Sequence, residues 1–138
     1  MSAQGLIKKL YLCGRNQKNM EQTEQLVKAI VKGIQEKKGQ LIAVIDMREM
    51  DGAIAKYFVI CQGSSPTQVD ALADSVEETA RVETKEKPVH IIGREQSVWV
   101  AMDYTDVMVH IFMPEARTFY NLENLWEDAP LTLIPDEE

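Results

Sequence analysis

The sequence predicts one α/β domain, a mixed five-stranded sheet with helices packed on it. Three observations lead there. Two long segments repeat apolar residues at three- and four-residue spacing, and five short segments are rich in apolar, β-branched and aromatic types. Their order is helix, strand, strand, helix, then three strands and a last short helix. The chain has 138 residues, 45% of them apolar, enough for one buried core.

The first helix is predicted from Thr23 to Lys38. Leu26, Val27, Ile30, Val31 and Ile34 share one face, and Lys37 and Lys38 fall in the last turn, where the helix dipole favours positive charge. Gly39 is the expected left-handed cap. Leu41 to Ile45 and Tyr57 to Cys61 are continuous apolar runs of buried-strand length, separated by a polar stretch with a turn at Asp51-Gly52. Ser65 then opens a second helix as N-cap, Pro66 takes the first helical position, and Gln68 completes a capping box. Val69, Leu72, Ala73, Val76 and Ala80 form its buried stripe, and Pro88 prevents continuation past Glu83 to Lys87.

Val89 to Ile92 is a short strand, and the unit from Tyr57 to Ile92 should be a parallel, right-handed strand–helix–strand crossover. Val98 to Met102 and Val107 to Met113 form an antiparallel hairpin across Asp103-Tyr104-Thr105-Asp106. The last strand is apolar on both faces, so both should be covered. Pro114 starts a short final helix in which Phe119, Leu122 and Trp126 align, and Trp126 reads as core. On that assignment Trp126→Ala costs roughly 3–5 kcal/mol. Pro130 and Pro135 interrupt the C-terminal tail.

Charge divides the chain. Residues 1–20 hold four bases and no acid, and read as a flexible basic extension preceding a single domain over residues 21–138. That domain holds 11 bases and 22 acids, a net charge of −11. Such a body suits a basic protein partner better than nucleic acid, so no direct nucleic-acid readout is expected. No apolar run approaches the roughly 18–20 residues of a membrane span, and no secretory core or cleavage pattern opens the chain. Cys13 and Cys61 make no paired motif, consistent with a reducing, cytoplasmic setting.

Catalytic chemistry is incomplete. The Gly63-Ser64-Ser65 turn could offer backbone N–H groups to an anion, but it lacks the glycines and Lys-Ser/Thr of a phosphate-binding loop. A nucleotidyl transferase also needs paired carboxylates for Mg²⁺, and no Asp-x-Asp, Asp-x-Glu or Glu-x-Glu stands on a predicted strand. Asp70 and Asp74 are four apart on the second helix and read as solvated. His90 and His110 have no third ligand at metal-like spacing and read as hydrogen-bonded histidines on a covered sheet face. Cys61 reads as a small core residue. No cofactor or metal is called for. Trp99 shares its strand face with Ala101 and Asp103, whereas Val98, Val100 and Met102 are the better core residues. Either Trp99 is presented outward beside Arg94, Glu95 and Gln96 as an interface anchor, or a helix covers it.

Three sets of strings carry a resemblance. Tyr57-Phe58-Val59-Ile60-Cys61 leads into Gly63. Gly93-Arg94-Glu95-Gln96 precedes Trp99-Val100, Asp103-Tyr104 and Asp106-Val107. Val109-His110-Ile111-Phe112 precedes Pro114-Glu115-Ala116-Arg117, Phe119-Tyr120, Leu122 and Leu125-Trp126. Together they resemble the Iojap, or ribosome-silencing-factor, family from about Thr23 to Asp128. The resemblance implies a nucleotidyltransferase-like fold without the catalytic carboxylates. It also implies binding to the large ribosomal subunit through its L-fourteen protein, blocking small-subunit joining and repressing translation when nutrients are scarce. The surface expected for that role joins Arg94, Glu95, Trp99, Asp103, Tyr104 and Asp106 with Glu115, Arg117 and Tyr120, with Trp99 and Tyr104 supplying desolvated area. Two rivals stay open: a divergent nucleotidyltransferase-like enzyme using the Gly63-Ser64 turn, and a homodimer whose self-contact is a sheet edge or the Trp99 patch.

Overall fold

The computed structural model describes residues 20–136. The expected basic extension, with Cys13, lies outside them apart from Met20. Helix α1 (Met20–Glu36) is followed by β1 (Gln40–Asp46), β2 (Tyr57–Gln62) and α2 (Pro66–Thr84). Then come β3 (His90–Ile92), β4 (Trp99–Asp103), β5 (Val107–Phe112), α3 (Pro114–Tyr120), α4 (Leu122–Leu125) and β6 (Leu131–Ile134). The sheet has six strands, in the order β3-β4-β5-β2-β1-β6.

The expected five strands are all present, and β6 is the addition. It pairs antiparallel with β1, Ala43 opposite Leu133 and Ile45 opposite Leu131. Local pattern concealed it: Pro130 and Pro135 bracket a four-residue strand, while prolines are tolerated at strand ends and sheet edges. β2 and β5 are parallel, and β5, β4 and β3 pair antiparallel in turn. β2 and β3 therefore run in the same direction, as expected of a crossover, but β5 and β4 lie between them.

The two sheet faces differ. On the first, α1 and α2 bury Leu26, Ile30 and Ile34 with Leu72, Ala73 and Val76 against Val59, Cys61, Val100, Met102, Val109 and Ile111. The second face holds Ala43, Ile45, Phe58, Ile60 and Phe112 beneath α3, α4 and the 47–55 loop, with Trp99 and Trp126 partly buried at its margin. Both faces of β5 are thus covered, as its sequence requires.

The capping reading holds, with two changes. Ser65 Oγ accepts from the Gln68 N–H at 3.1 Å. Gln68 Oε1 reaches back to the Ser64 N–H (2.7 Å), one residue earlier than a capping box predicts. Its amide nitrogen donates to the Lys37 and Lys38 carbonyls, at 3.2 and 3.1 Å, so one glutamine closes the start of α2 and the end of α1 together. Lys38, not Gly39, takes the left-handed conformation (φ 61°). Gly39 is needed for space, because a Cβ there would collide with Ile34 Cγ2 and stand 3.0 Å from Leu72 Cδ2.

Candidate partner-binding site

The β4–β5 register places Trp99 opposite Phe112, and Ala101 opposite His110. Side chains alternate across a strand, so Trp99, Phe112 and His110 share the second face. Trp99 stacks on Phe112 with ring centroids 5.2 Å apart and meets Tyr120, the last residue of α3, at 4.4 Å. Tyr120 is 47% exposed and packs edge-on against Phe119, which is 81% exposed. An aromatic run therefore climbs from the buried Phe112 through Trp99 and Tyr120 to a fully presented Phe119. Each of the two expectations for Trp99 is half met: α3 covers one side of the ring and the rest remains accessible.

The turn between β3 and β4 forms the rim. Gly93 (φ 90°) allows it, since a Cβ would collide with the Trp99 carbonyl oxygen. The Ser97 N–H donates to the Gly93 carbonyl (2.9 Å), and Ser97 Oγ donates to the Arg94 carbonyl (3.0 Å). Arg94 then ties the turn to α2. Its Nε donates to Asp70 and its Nη2 to Asp74, each at 2.7 Å. These two carboxylates are paired rather than simply solvated, which corrects the sequence reading. Between turn and rings lies a cavity of about 380 Å³ lined by Gly93, Glu95, Gln96, Val98, Trp99 and Tyr120. Glu95 is the one acidic or basic side chain in that lining, because the Arg94 guanidinium is turned to α2. An aromatic wall beside a carboxylate suits a cation: a lysine or arginine side chain can lie over a ring and meet the acid.

The structure does not assemble the full expected set. Glu95, Trp99 and Tyr120 line one cavity, with Arg94 bracing its turn from α2, and Glu115 lies exposed in the first turn of α3. Asp103, Tyr104 and Asp106 stand at the other end of the hairpin, roughly 13 Å along β4 from Trp99 at about 3.3 Å per residue. Asp103 accepts from the Thr105 N–H at 2.7 Å, and Asp106 faces Thr23 and Lys56. Tyr104 is only 2% exposed and belongs to the first-face core, so it supplies no docking area. Arg117 also corrects the expectation. Its side chain is 10% exposed and holds Glu123 through Nε (2.9 Å) and Nη2 (3.2 Å) while Nη1 donates to the Leu41 carbonyl. It braces the opposite side of α3 beside a cavity of about 700 Å³ between α3 and β6.

Phe119 was missed as a surface residue. The final helix does not run through: Asn121 adopts a left-handed conformation (φ 46°), which ends α3 and separates it from α4. That break removes Phe119 from the stripe it would share with Leu122 and Trp126. Asparagine tolerates this conformation better than most residues, and that was the available signal.

The histidines part company. His110 is buried on the covered face, as expected, and its Nδ1 accepts the Trp99 indole N–H at 3.1 Å. Burial pushes its pKa down to about 4. His90 is exposed on the edge strand β3, against expectation, because no element covers that edge. Cys61 is core, with its thiol pushed up to about 12 by burial. The Gly63-Ser64 turn is occupied by the chain's own groups: Ser64 N–H and Oγ both donate to Gln68 Oε1, and the Gly63 N–H donates to the Phe112 carbonyl. Among the described residues, no three His, Cys, Asp or Glu side chains are placed to share a metal ion. No helix among them is long and apolar enough to cross a membrane.

Fold and site together define a small α/β protein with one sheet face closed by two long helices and an aromatic, carboxylate-rimmed surface on the other. Comparison with known proteins narrows that class. The family model described as "Ribosomal silencing factor during starvation" matches residues 20–138, and the chain belongs to that family. It is 36% identical over 107 residues to the ribosomal silencing factor of Halalkalibacterium halodurans, covering 78% of this chain and 90% of that protein. A crystal structure of a protein from Chromobacterium violaceum superposes with a TM-score of 0.71 at 30% identity, covering 75% of this chain and 85% of the other. A more distant relative, the mouse "Mitochondrial assembly of ribosomal large subunit protein 1", is 32% identical over 72 residues, 51% of this chain and 32% of that protein.

Proposed function

We propose that this chain silences the large ribosomal subunit by occupying its surface in the cytoplasm, without catalysis. It docks through Trp99, Tyr120 and Phe119, with Glu95 receiving a cationic side chain, onto the basic L-fourteen protein. Small-subunit joining is thereby blocked and translation repressed under nutrient limitation. The observation that carries the reading is the aromatic run ending in an exposed Phe119 beside the Glu95 cavity. Adjacent rings presented together, Phe119, Tyr120 and part of Trp99, form a contiguous apolar patch of the kind a partner desolvates.

Three facts support the choice of partner. The family is described by ribosomal silencing, and a relative's name refers to assembly of the large subunit. The net charge of −11 over residues 21–138 steers such a body toward a basic surface. Occupation rather than catalysis is favoured because Gln68 and Ser65 fill the helix N-terminus that a phosphate would need.

Co-sedimentation with purified large subunits tests the proposal. The wild type should pellet with subunits, less strongly as salt is raised. Trp99→Ala should weaken binding by about 2 kcal/mol, roughly thirtyfold, as expected of a central aromatic anchor. A wild type that stays in the supernatant at low salt defeats the proposal. Equal binding by Trp99→Ala defeats the assigned surface.

A further inference from the structure

We propose that His110 is a positioning residue for Trp99: its buried ring holds the indole N–H and so fixes the orientation in which Trp99 meets the Tyr120–Glu95 cavity. Trp99 Nε1 can only donate, and it donates to His110 Nδ1 at 3.1 Å. Nδ1 must then be unprotonated, so the neutral imidazole carries its proton on Nε2. His110 is 6% exposed, and its buried Nε2 finds no hydrogen-bond partner among the described residues. An orphaned buried donor costs about 1–3 kcal/mol.

A phenylalanine or leucine at this position would avoid that cost, because the surroundings are apolar. Phe58 stands edge-on at 5.2 Å and Phe112 stacks at 6.0 Å. The compensation His110 does obtain comes from Trp99, whose ring lies at the boundary between core and cavity. Without an acceptor, that indole N–H would have to turn toward water, taking the ring away from Phe112 and Tyr120. The depressed basicity of His110 keeps the acceptor unprotonated through the neutral range. The buried histidine is therefore poorly explained by stability and well explained by the orientation of a surface residue.

The orientation of Trp99 follows from this geometry; its consequence for docking rests on the function proposed above. The test uses the ¹⁵N-labelled full chain, whose two tryptophans give two indole signals, assigned with Trp126→Phe. A scalar coupling through the hydrogen bond between Trp99 Nε1 and His110 Nδ1 is expected in the wild type, and its absence overturns the inference without any histidine variant. In His110→Phe the Trp99 indole N–H should move upfield and exchange with solvent faster, while the melting temperature is held or raised. Large-subunit binding should fall by about tenfold, the scale of one lost hydrogen bond. His110→Gln, which restores an acceptor, should recover most of that binding. An unchanged Trp99 signal in His110→Phe overturns the proposal. So does full subunit binding by that variant when the wild type binds. A wild type that fails to bind subunits but shows the coupling sinks the docking proposal and leaves the positioning of Trp99 supported.

Discussion

The two faces of the sheet use similar residues to opposite ends. Under α1 and α2, Leu26, Ile30, Ile34, Leu72 and Val76 are fully buried, and this layer closes. Under α3 and α4, the layer is short: α4 has four residues, and Phe119, Leu125, Leu131 and Leu133 remain exposed around a buried centre of Phe58, Ile60 and Phe112. Two helices of 17 and 19 residues shield one face, whereas helices of 7 and 4 residues cannot shield the other. Apolar pattern alone therefore does not identify core. Whether an apolar side chain stabilises the fold or awaits a partner depends on how much helix is available to cover it.

Substitutions on the two faces put that contrast to the test. The largest effect belongs to the closed face: Leu72→Ala, which empties a fully buried site, should cost about 2–5 kcal/mol in denaturant unfolding. A loss below about 1 kcal/mol would mean that the layer can collapse around the hole. Trp126→Ala comes next. The sequence alone suggested roughly 3–5 kcal/mol, but the ring is half-buried, edge-on to Phe58 at 6.2 Å, so about half that range is expected. A cost equal to that of Leu72→Ala would show the second face to be as much a core as the first. The smallest stability effect falls at Phe119. Phe119→Ser should change unfolding free energy by no more than about 0.5 kcal/mol, yet weaken large-subunit binding several-fold. A clear drop in stability with binding intact would reverse its assignment.

The Trp99 cluster shows where sequence reading works and where it fails. Trp99, Glu95 and Tyr120 could be singled out from residue type and setting, and they line one cavity. Asp103, Tyr104 and Asp106 looked equally close because they belong to the same hairpin, but a strand of five residues carries its two ends apart. Arg94 and Arg117 looked like partner-facing cations. Their carboxylates are Asp70 and Asp74 for the first and Glu123 for the second. Asp70 and Asp74 are 24 and 20 residues from Arg94 in the chain, and no local pattern announces such a pairing.

The α/β class, the placement of α1 and α2, the Ser65 cap and the five principal strands were legible in the order of residues alone. These follow from periodicity and from groups a few residues apart, where the backbone fixes geometry. That β6 forms the far edge of the sheet, that Gln68 joins two helix ends, that Tyr104 is core and that Phe119 is surface emerged only with the assembled fold. The first three depend on contacts between distant segments, which side-chain pattern does not record, and the fourth on a backbone reversal for which Asn121 was the one local signal.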